Sequence, residues 1–439
     1  MNVFNAALDR IRTTLDRFEN VYISFSGGKD SGIMVELASI LLRTEYKGRK
    51  VGLYHMDYEG QYQATTDYVD LMFKRHSDVF DCYWCCMPVT AQCSVSMYQS
   101  GWTPWGKDDI DIWTREMPDY DFVINEDNND FGFFKEGMSD YSFNKKFHEW
   151  YQDRNGGGET ACLVGIRTQE SLNRWVSVHG DTQCFEGLKY TSIVHKNGRV
   201  AVYPIFDWKV EDVWVANAKN EWPYNKLYDL FHLSGMALAN MRVASPFNDC
   251  AHSTLHLYKA IEPNTWSRLV GRVNGANFTA IYGGSKAMAF KDVTLPKGHT
   301  WKTYCDFLLS TLPENTADIY RKKFETSLKY WTERGGTVGL ETLKQIEDSG
   351  FSGFERLGPP MDNRRYMEPK EVIRFFEYPD DLDIKDFKDI PTYKRMCITI
   401  MKNDTSCKYM GFGQTKDELA LRRKAEYTYK DMIKKVKGE

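Results

Sequence analysis

The sequence predicts an α/β fold, in which a parallel sheet is flanked by helices and followed by a mainly helical C-terminal domain. Strand-like and helix-like patterns alternate through the first half of the 439 residues, as crossover connections between parallel strands require. Beyond about residue 244 the alternation stops and helical patterns dominate. We therefore predict a first domain at residues 1–244, with an insertion at about 95–158, and a second domain at residues 245–439.

The elements of the first domain can be predicted in order. A β-branched and aromatic run at 21–25 (VYISF) indicates a buried strand, and apolar residues at helical spacing follow it from Ile33 to Leu41. Residues 51–56 predict a second strand that ends at Asp57, residues 61–75 a helix, and residues 79–84 a third strand. The sheet resumes at 161–166 and 199–203. The acidic, proline-containing segment 378–391 favours a linker.

Composition limits the function classes. The net charge is −4, so the overall charge favours neither nucleic acid nor membrane as a partner. No apolar stretch approaches ~18 residues, and no signal-peptide core begins the sequence. Ten scattered cysteines in a chain of this size are typical of reduced thiols. We therefore expect a soluble, cytoplasmic protein that does not enter membranes.

The strongest site prediction is the loop Ser26-Gly27-Gly28-Lys29-Asp30-Ser31. It lies between a predicted strand and a predicted helix, where backbone amides and the helix dipole favour an anion. The glycines permit close approach of the backbone. Lys29 adds a cation, Asp30 could hold Mg²⁺, and Ser31 could hold the metal or cap the helix. An ordinary capped turn is the alternative.

Two acidic residues follow the second predicted strand. Ligands of open α/β sheets bind beyond the carboxyl ends of the strands, so Asp57 should face the same crevice as Lys29. Its carboxylate could accept hydrogen bonds from ribose hydroxyls or from an adenine amino group, although it could also be an ordinary turn residue. Glu59 lies in a predicted loop, and we expect it to be solvated.

The segment 165–174 (GIRTQESLNR) is the second candidate site. It also leaves a strand and enters a helix, and its Arg167 and Arg174 can fork onto phosphate oxygens. Glu170 could orient one of these arginines. The alternative is an exposed helix start, where such ion pairs contribute little.

Together these segments resemble a known superfamily. The loop, Asp57, GIRTQESLNR, and YPIFDW followed by EDVW occur in the order of the phosphoadenylylsulfate (PAPS) reductase family, and SGGKDS resembles the loop of the ATP pyrophosphatases. The resemblance covers about residues 15 to 235. It implies the adenine-nucleotide α-hydrolase-like fold, a five-stranded parallel sheet, with ATP or PAPS as the bound nucleotide.

The second half resembles the branch that contains the immunoglobulin-binding regulator A proteins. The matching segments begin PFNDCAHSTLHLYKAIEP and IPTYKRMCITIMKNDTSCKYMGF. Members of that branch are often encoded on prophages beside a ParB/sulfiredoxin-like protein, which the resemblance implies as a possible partner.

Departures from the reductases decide the preferred activity. Their nucleophilic cysteine lies in a mobile C-terminal tail, whereas the last cysteine here is Cys407, which a predicted turn follows. The loop also resembles that of the ATP-using members more than that of the reductases. We therefore predict adenylation of an unknown acceptor by ATP, with pyrophosphate release, helped by Lys29, Arg167, Arg174 and Mg²⁺. A thiol-dependent PAPS reductase and a non-catalytic nucleotide-sensing regulator are the alternatives.

Two further clusters favour structural interpretations. Cys82, Cys85, Cys86 and Cys93 contain one CxxC pair, which is half of a zinc or iron–sulfur site, so we do not expect a metal there. Residues 420–437 combine basic residues with an apolar stripe. This pattern predicts a docked helix with a solvated basic face, and contact with nucleic acid or an acidic partner is the alternative.

Overall fold

The sheet of the first half has seven strands. The structure is a computed structural model, and it describes residues 2–179, 184–193, 199–251, 254–282, 288, 293–360, 369–385 and 387–413. The strands of this half are β1 (Asn20–Ser24), β2 (Val51–Met56), β3 (Phe80–Cys86), β4 (Ala91–Gln92), β5 (Gly101–Trp102), β6 (Val123–Asn125), β7 (Thr160–Val164), β8 (Thr191–Ile193) and β9 (Val200–Val202). The helices are α1 (Val3–Arg17), α2 (Lys29–Thr44), α3 (Gln63–Arg75), α4 (Asp140–Arg154), α5 (Leu172–His179), α6 (Val210–Lys219) and α7 (Leu227–Leu233).

The strand order is β6-β3-β2-β1-β7-β9-β8, and all neighbours pair in parallel except β8 and β9. The predicted parallel sheet flanked by helices is therefore confirmed. The number of strands differs from the five that the resemblance implied. The insertion supplies β6 at one edge, and β8 folds back against β9 at the other.

Helices cover both faces of this sheet because both faces are apolar. Helices α1, α2, α3 and α6 share one hydrophobic cluster with the sheet, which includes Ile11, Leu37 and Phe73. The opposite face is aromatic and packs against Phe143 and Phe147 of α4. Strand β1 pairs with β2 on one side and β7 on the other. The carboxyl end of β1 therefore lies in the middle of the sheet edge.

Residues 247–276 pack against the first half. They share a hydrophobic cluster with Tyr62, Trp102 and Leu227. The division at residue 244 stays a prediction, and this packing brings α8 (His256–Ile261), α9 (Pro263–Arg272) and α10 (Ala276–Tyr282) next to the sheet edge.

Described residues between 293 and 412 form another hydrophobic cluster. It is built by α11 (Trp301–Thr311), α12 (Glu314–Lys329), α13 (Leu340–Asp348) and α14 (Tyr393–Met401), which confirms the predicted helical region. An antiparallel sheet of β10 (Gly336–Gly339), β11 (Phe354–Gly358) and β12 (Lys370–Phe375) was not predicted.

Two predictions for the C-terminal half have different outcomes. The predicted linker 378–391 is wrong, because Tyr378, Leu382 and Ile390 are buried in this cluster. The predicted basic helix 420–437 lies outside the described residues. Across the described ranges, every helix is too short or too polar to cross a bilayer.

Candidate functional site

The predicted phosphate loop lies at the carboxyl end of β1, and helix α2 begins at Lys29. Gly27 has a φ of +73°, and a Cβ atom there would lie 2.9 Å from methyl groups of Thr65 and Val69. Only glycine satisfies both conditions without strain. The loop therefore packs directly against α3.

Hydrogen bonds hold the loop in one conformation. The Ser31 hydroxyl donates to the Gly28 carbonyl at 3.1 Å and accepts from the Ser26 amide at 3.2 Å. The Asn225 amide donates to the Gly27 carbonyl at 2.9 Å. Among the described residues, the amides of Gly27 and Gly28 donate to no protein acceptor, as expected at an anion-binding helix start.

Lys29, Asp30 and Arg167 form a charged cluster beside this loop. The Asp30 carboxylate contacts Lys29 Nζ at 3.0 Å and Arg167 Nε at 2.5 Å, and the two cationic side chains are each 4% exposed. Burial alone would raise the pKa of Asp30, but the charges of Lys29 and Arg167 outweigh it and lower the pKa below its usual value. Two cations against one carboxylate leave a net positive charge next to the loop amides.

Strand pairing explains how Arg167 reaches the loop. Strand β7 lies beside β1, and its last residue, Val164, pairs with Ser24. A Cβ atom on Gly165 would lie 2.9 Å from the Asp30 carbonyl and the Ser31 amide. This glycine therefore lets the two segments touch, and Arg167 follows two residues later.

Glu170 and Arg174 lie farther out. Arg174 is 46% exposed and contacts Glu170 at 3.8 Å. Arg242 contacts the same carboxylate at 3.7 Å and also donates to the Glu170 carbonyl. The predicted pairing of Glu170 with an arginine is thus present in the structure, but the cluster with Asp30 contains Arg167 and not Arg174.

Asp57 lies in a different environment from the one we expected. It is fully buried, and Arg115 Nη2 contacts its carboxylate at 2.6 Å. The Trp84 indole and the Glu59 amide donate to the same carboxylate, at 2.7 and 2.8 Å. Burial would raise the pKa of Asp57, but the charges of Arg115 and His55 and the hydrogen bonds from Trp84 and Arg115 together outweigh it and lower the pKa. Its role in nucleotide binding stays a prediction, and in this structure its oxygens bind protein donors.

Glu59 is not solvated, so that expectation is wrong. It is completely buried and has a φ of +61°. Its carboxylate accepts from Arg272 Nε at 3.1 Å and from the amides of Trp105 and Thr114 at 2.8 Å each. A loop glutamate is buried here because α9 supplies a guanidinium partner.

The contacts of Asp30 do not fit its predicted role as a Mg²⁺ ligand. Both carboxylate oxygens are paired with cations, Oδ1 with Arg167 and Oδ2 with Lys29. Mg²⁺ requires oxygen ligands that are free to enter its coordination sphere. Within the ranges that the structure covers, no three His, Cys, Asp or Glu residues are grouped as metal ligands.

The four cysteines discussed above are divided among three hydrophobic clusters. Cys82 and Cys86 pack on one face of the sheet, and Cys85 packs on the other. Cys93 belongs to the cluster that includes Tyr62. Burial raises the pKa of Cys82 and of Cys93 to about 11 each. Low-pKa thiolates, which metals and nucleophilic reactions use, are not favoured at these two positions.

Sequence reasoning missed several residues at the loop. The Tyr228 hydroxyl accepts from the Lys29 amide at 3.0 Å, and Asn225 holds the Gly27 carbonyl. Both residues lie in the segment 223–228 (PYNKLY), which was not among the candidate sites predicted from the sequence. Arg242 had no sequence signal, because an isolated arginine in a coil does not reveal its distant contacts.

Sheet, loop and charged cluster define an adenine-nucleotide α-hydrolase-like protein. Residues 116–234 match the family described as "Phosphoadenosine phosphosulfate reductase domain", and residues 235–421 match a "Domain of unknown function (DUF3440)". The chain is 31% identical over 423 residues to the uncharacterized protein YbdN of Escherichia coli (strain K12), covering 95% of this chain and 92% of that protein. This chain therefore belongs to the same family as YbdN, and its residues 116–234 are PAPS-reductase-like.

The solved structures that match this chain have low sequence identity and low TM-scores. A PAPS reductase from Candida auris is 15% identical with a TM-score of 0.27, covering 51% of this chain and 84% of that one. The Candida glabrata FMN adenylyltransferase in complex with ATP is 14% identical with a TM-score of 0.31, covering 52% and 57%. The U34-tRNA thiolase NcsA of Methanococcus maripaludis is 13% identical with a TM-score of 0.30, covering 64% and 79%. The narrower resemblance to the immunoglobulin-binding regulator A branch stays a prediction.

Proposed function

We propose that this protein binds ATP at the glycine loop and transfers its adenylyl group to an acceptor, with release of pyrophosphate. The observation that supports this most is the loop itself. Two uncommitted amides at the start of α2 lie beside two buried cations that one carboxylate only partly neutralises. Such a position favours the charge of a polyphosphate.

The residues act by holding and neutralising the phosphates. An acceptor oxygen attacks the α-phosphorus, the bond from that phosphorus to the α–β bridging oxygen breaks, and the acceptor proton passes to water. Lys29 and Arg167 would stabilise the charge that develops on the leaving pyrophosphate. Asp30 orients both cations by its two contacts, so the barrier is lowered by positioning and electrostatics.

The PAPS-reductase alternative needs an accessible thiolate of low pKa. Cys407 is completely buried, and burial raises its pKa to about 12. It packs in the C-terminal hydrophobic cluster with Tyr320 and Cys397. These properties favour adenylation over reduction by Cys407.

The proposed reaction is tested by measuring pyrophosphate release from ATP with candidate acceptors, comparing wild type with Arg167→Lys. Lysine keeps the charge but loses the planar fork. If Arg167 stabilises developing charge, turnover should fall by on the order of tenfold or more while ATP affinity changes less. Lys329→Ala, at an exposed pair on α12, is the matched surface control.

Two outcomes would contradict the proposal. Tight ATP binding without pyrophosphate release under all acceptor conditions would favour the nucleotide-sensing regulator. Sulfite release from PAPS with reduced thioredoxin, abolished by Cys407→Ser, would favour the reductase.

A further inference from the structure

Glu170 lies between two arginines that come from different parts of the chain. Arg174 Nε is 3.8 Å from one carboxylate oxygen, and Arg242 Nε is 3.7 Å from the other. Both distances are longer than a hydrogen bond between these groups. The two arginine side chains are 46% and 34% exposed, whereas Glu170 is 14% exposed. We call these three residues the outer cluster.

The outer cluster differs from the contacts of Asp30. Lys29 and Arg167 are almost completely buried and contact Asp30 at 3.0 and 2.5 Å. Long ion pairs made by partly exposed arginines contribute only about 0–1 kcal/mol, because water and salt screen them. Arg174 and Arg242 can therefore turn from Glu170 to another anion at little cost, and Arg242 stays anchored by its bond to the Glu170 carbonyl.

The outer cluster lies next to the phosphate loop. Val243 follows Arg242, and its Cβ would lie 3.9 Å from a Cβ atom placed on Gly28. Glu170 is also close enough for its charge to add to that of Asp30 at Tyr228, where burial together with these charges raises the pKa. A ligand on the loop would therefore lie close to the outer cluster.

Charge also favours an anion there. Two guanidinium groups face one carboxylate, so one positive charge is uncompensated within the outer cluster. Guanidinium groups bind planar or tetrahedral oxyanions through paired N–H donors.

We propose that Arg174 and Arg242 form a second anion-binding position, which takes a phosphate, sulfate or carboxylate group next to the nucleotide held by the loop. The proposal deepens the proposed function, on which it rests for the nucleotide in the loop. The anion is either the γ-phosphate of ATP or an acidic group of the acceptor, and both have the same chemistry.

The test measures three affinities in wild type, Arg242→Met and Arg174→Met by calorimetry. The first two are the affinities for AMP and for an ATP analogue with a methylene bridge between the α- and β-phosphorus. The third is the affinity for inorganic phosphate when the protein is saturated with that analogue. Arg321→Met is the matched control, since Arg321 is 44% exposed and contacts two carboxylates on α12.

If the anion belongs to the acceptor, phosphate should bind the saturated wild type, and each variant should weaken that binding by on the order of tenfold. Analogue affinity should then stay within about threefold of wild type. If the anion is the γ-phosphate, each variant should weaken the analogue by on the order of tenfold and leave AMP unchanged. Either result supports the second anion-binding position.

The proposal would be overturned if the affinities for the ATP analogue and for inorganic phosphate were unchanged in both variants. A folding defect is recognised separately, because it lowers the binding stoichiometry and the thermal midpoint and leaves the Kd of the folded fraction unchanged. Arg242→Lys, which keeps the charge, should restore part of the affinity. Absence of pyrophosphate release would contradict adenylation and leave this binding result standing.

Discussion

Two charged regions at the same sheet edge contain the two aspartates that were predicted to bind the nucleotide. At the phosphate loop, Asp30 is shared by two cations and lies beside uncommitted backbone amides. At the end of β2, Asp57 and Glu59 are completely buried and bind Arg115 and Arg272 together with backbone and indole donors. Sequence position alone does not distinguish these two aspartates.

The difference teaches that an excess of cations beside backbone amides without a protein acceptor indicates a binding site. Buried carboxylates whose hydrogen-bond partners all come from the protein indicate a structural role. The loop has two cations for one carboxylate, and two of its backbone amides donate to no acceptor among the described residues. The β2 network has its carboxylates paired, and it joins α9 to the sheet through Arg272. Loss of a cationic side chain should therefore mainly weaken binding in the first region and mainly reduce stability in the second.

The largest effect is expected from Arg272→Met. It leaves the buried Glu59 carboxylate without its guanidinium partner, and breaking a buried pair in this way costs about 3–5 kcal/mol. The free energy of unfolding from urea denaturation should fall by that amount. Arg321→Met, on an exposed pair, should change it by less than about 1 kcal/mol. Equally small losses of free energy of unfolding in Arg272→Met and Arg321→Met would show that the network has no structural role.

Gly27→Ala should be next. A positive φ costs an alanine about 1–2 kcal/mol, and contacts at 2.9 Å with Thr65 and Val69 add overpacking. We expect a total loss of about 2–4 kcal/mol in the free energy of unfolding. Gly48→Ala is the control, because Gly48 has a φ of +85° but no atom within 4 Å of the added Cβ. If both variants lose the same amount, packing against α3 does not restrict the loop.

Lys29→Ala should mainly weaken binding. Loss of a buried cation from the loop should reduce ATP affinity by on the order of tenfold, about 1.4 kcal/mol. The loss of stability should be smaller than for Arg272→Met, because Asp30 keeps its contact with Arg167. Calorimetry measures the affinity, and Lys329→Ala is the exposed control. Unchanged ATP binding would show that the loop assignment is wrong.

The smallest effect concerns pH. The folded-state pKa of Asp30 is lowered from 3.8 by Lys29 and Arg167, which outweigh the effect of burial. Its ionised form therefore stabilises the fold above the unfolded pKa, and this contribution is lost as pH falls through the lowered folded value. The difference in free energy of unfolding between wild type and Asp30→Asn should be constant near neutral pH and shrink below about pH 4. A difference that does not change across that range would contradict the ion pairs.

The sequence by itself determined where the glycine loop lies and which strands surround it. A β-branched strand, a glycine turn and a helical period each depend on residues that are close together in the sequence. A short stretch of the sequence is therefore enough to predict them. Arg167 could also be placed, because GIRTQESLNR leaves a parallel strand and such strands end at one edge.

Only the tertiary structure decided which cationic side chain pairs with each carboxylate. Asp57 and Glu59 are buried because Arg115 and Arg272 reach them from 58 and 213 residues away, and no local pattern contains those partners. The same holds for Tyr228, which contacts Lys29, and for Arg242, which contacts Glu170, because both contacts depend on the path of the chain after β9. Burial of a charge is favourable only with a partner, and packing between distant segments chooses that partner.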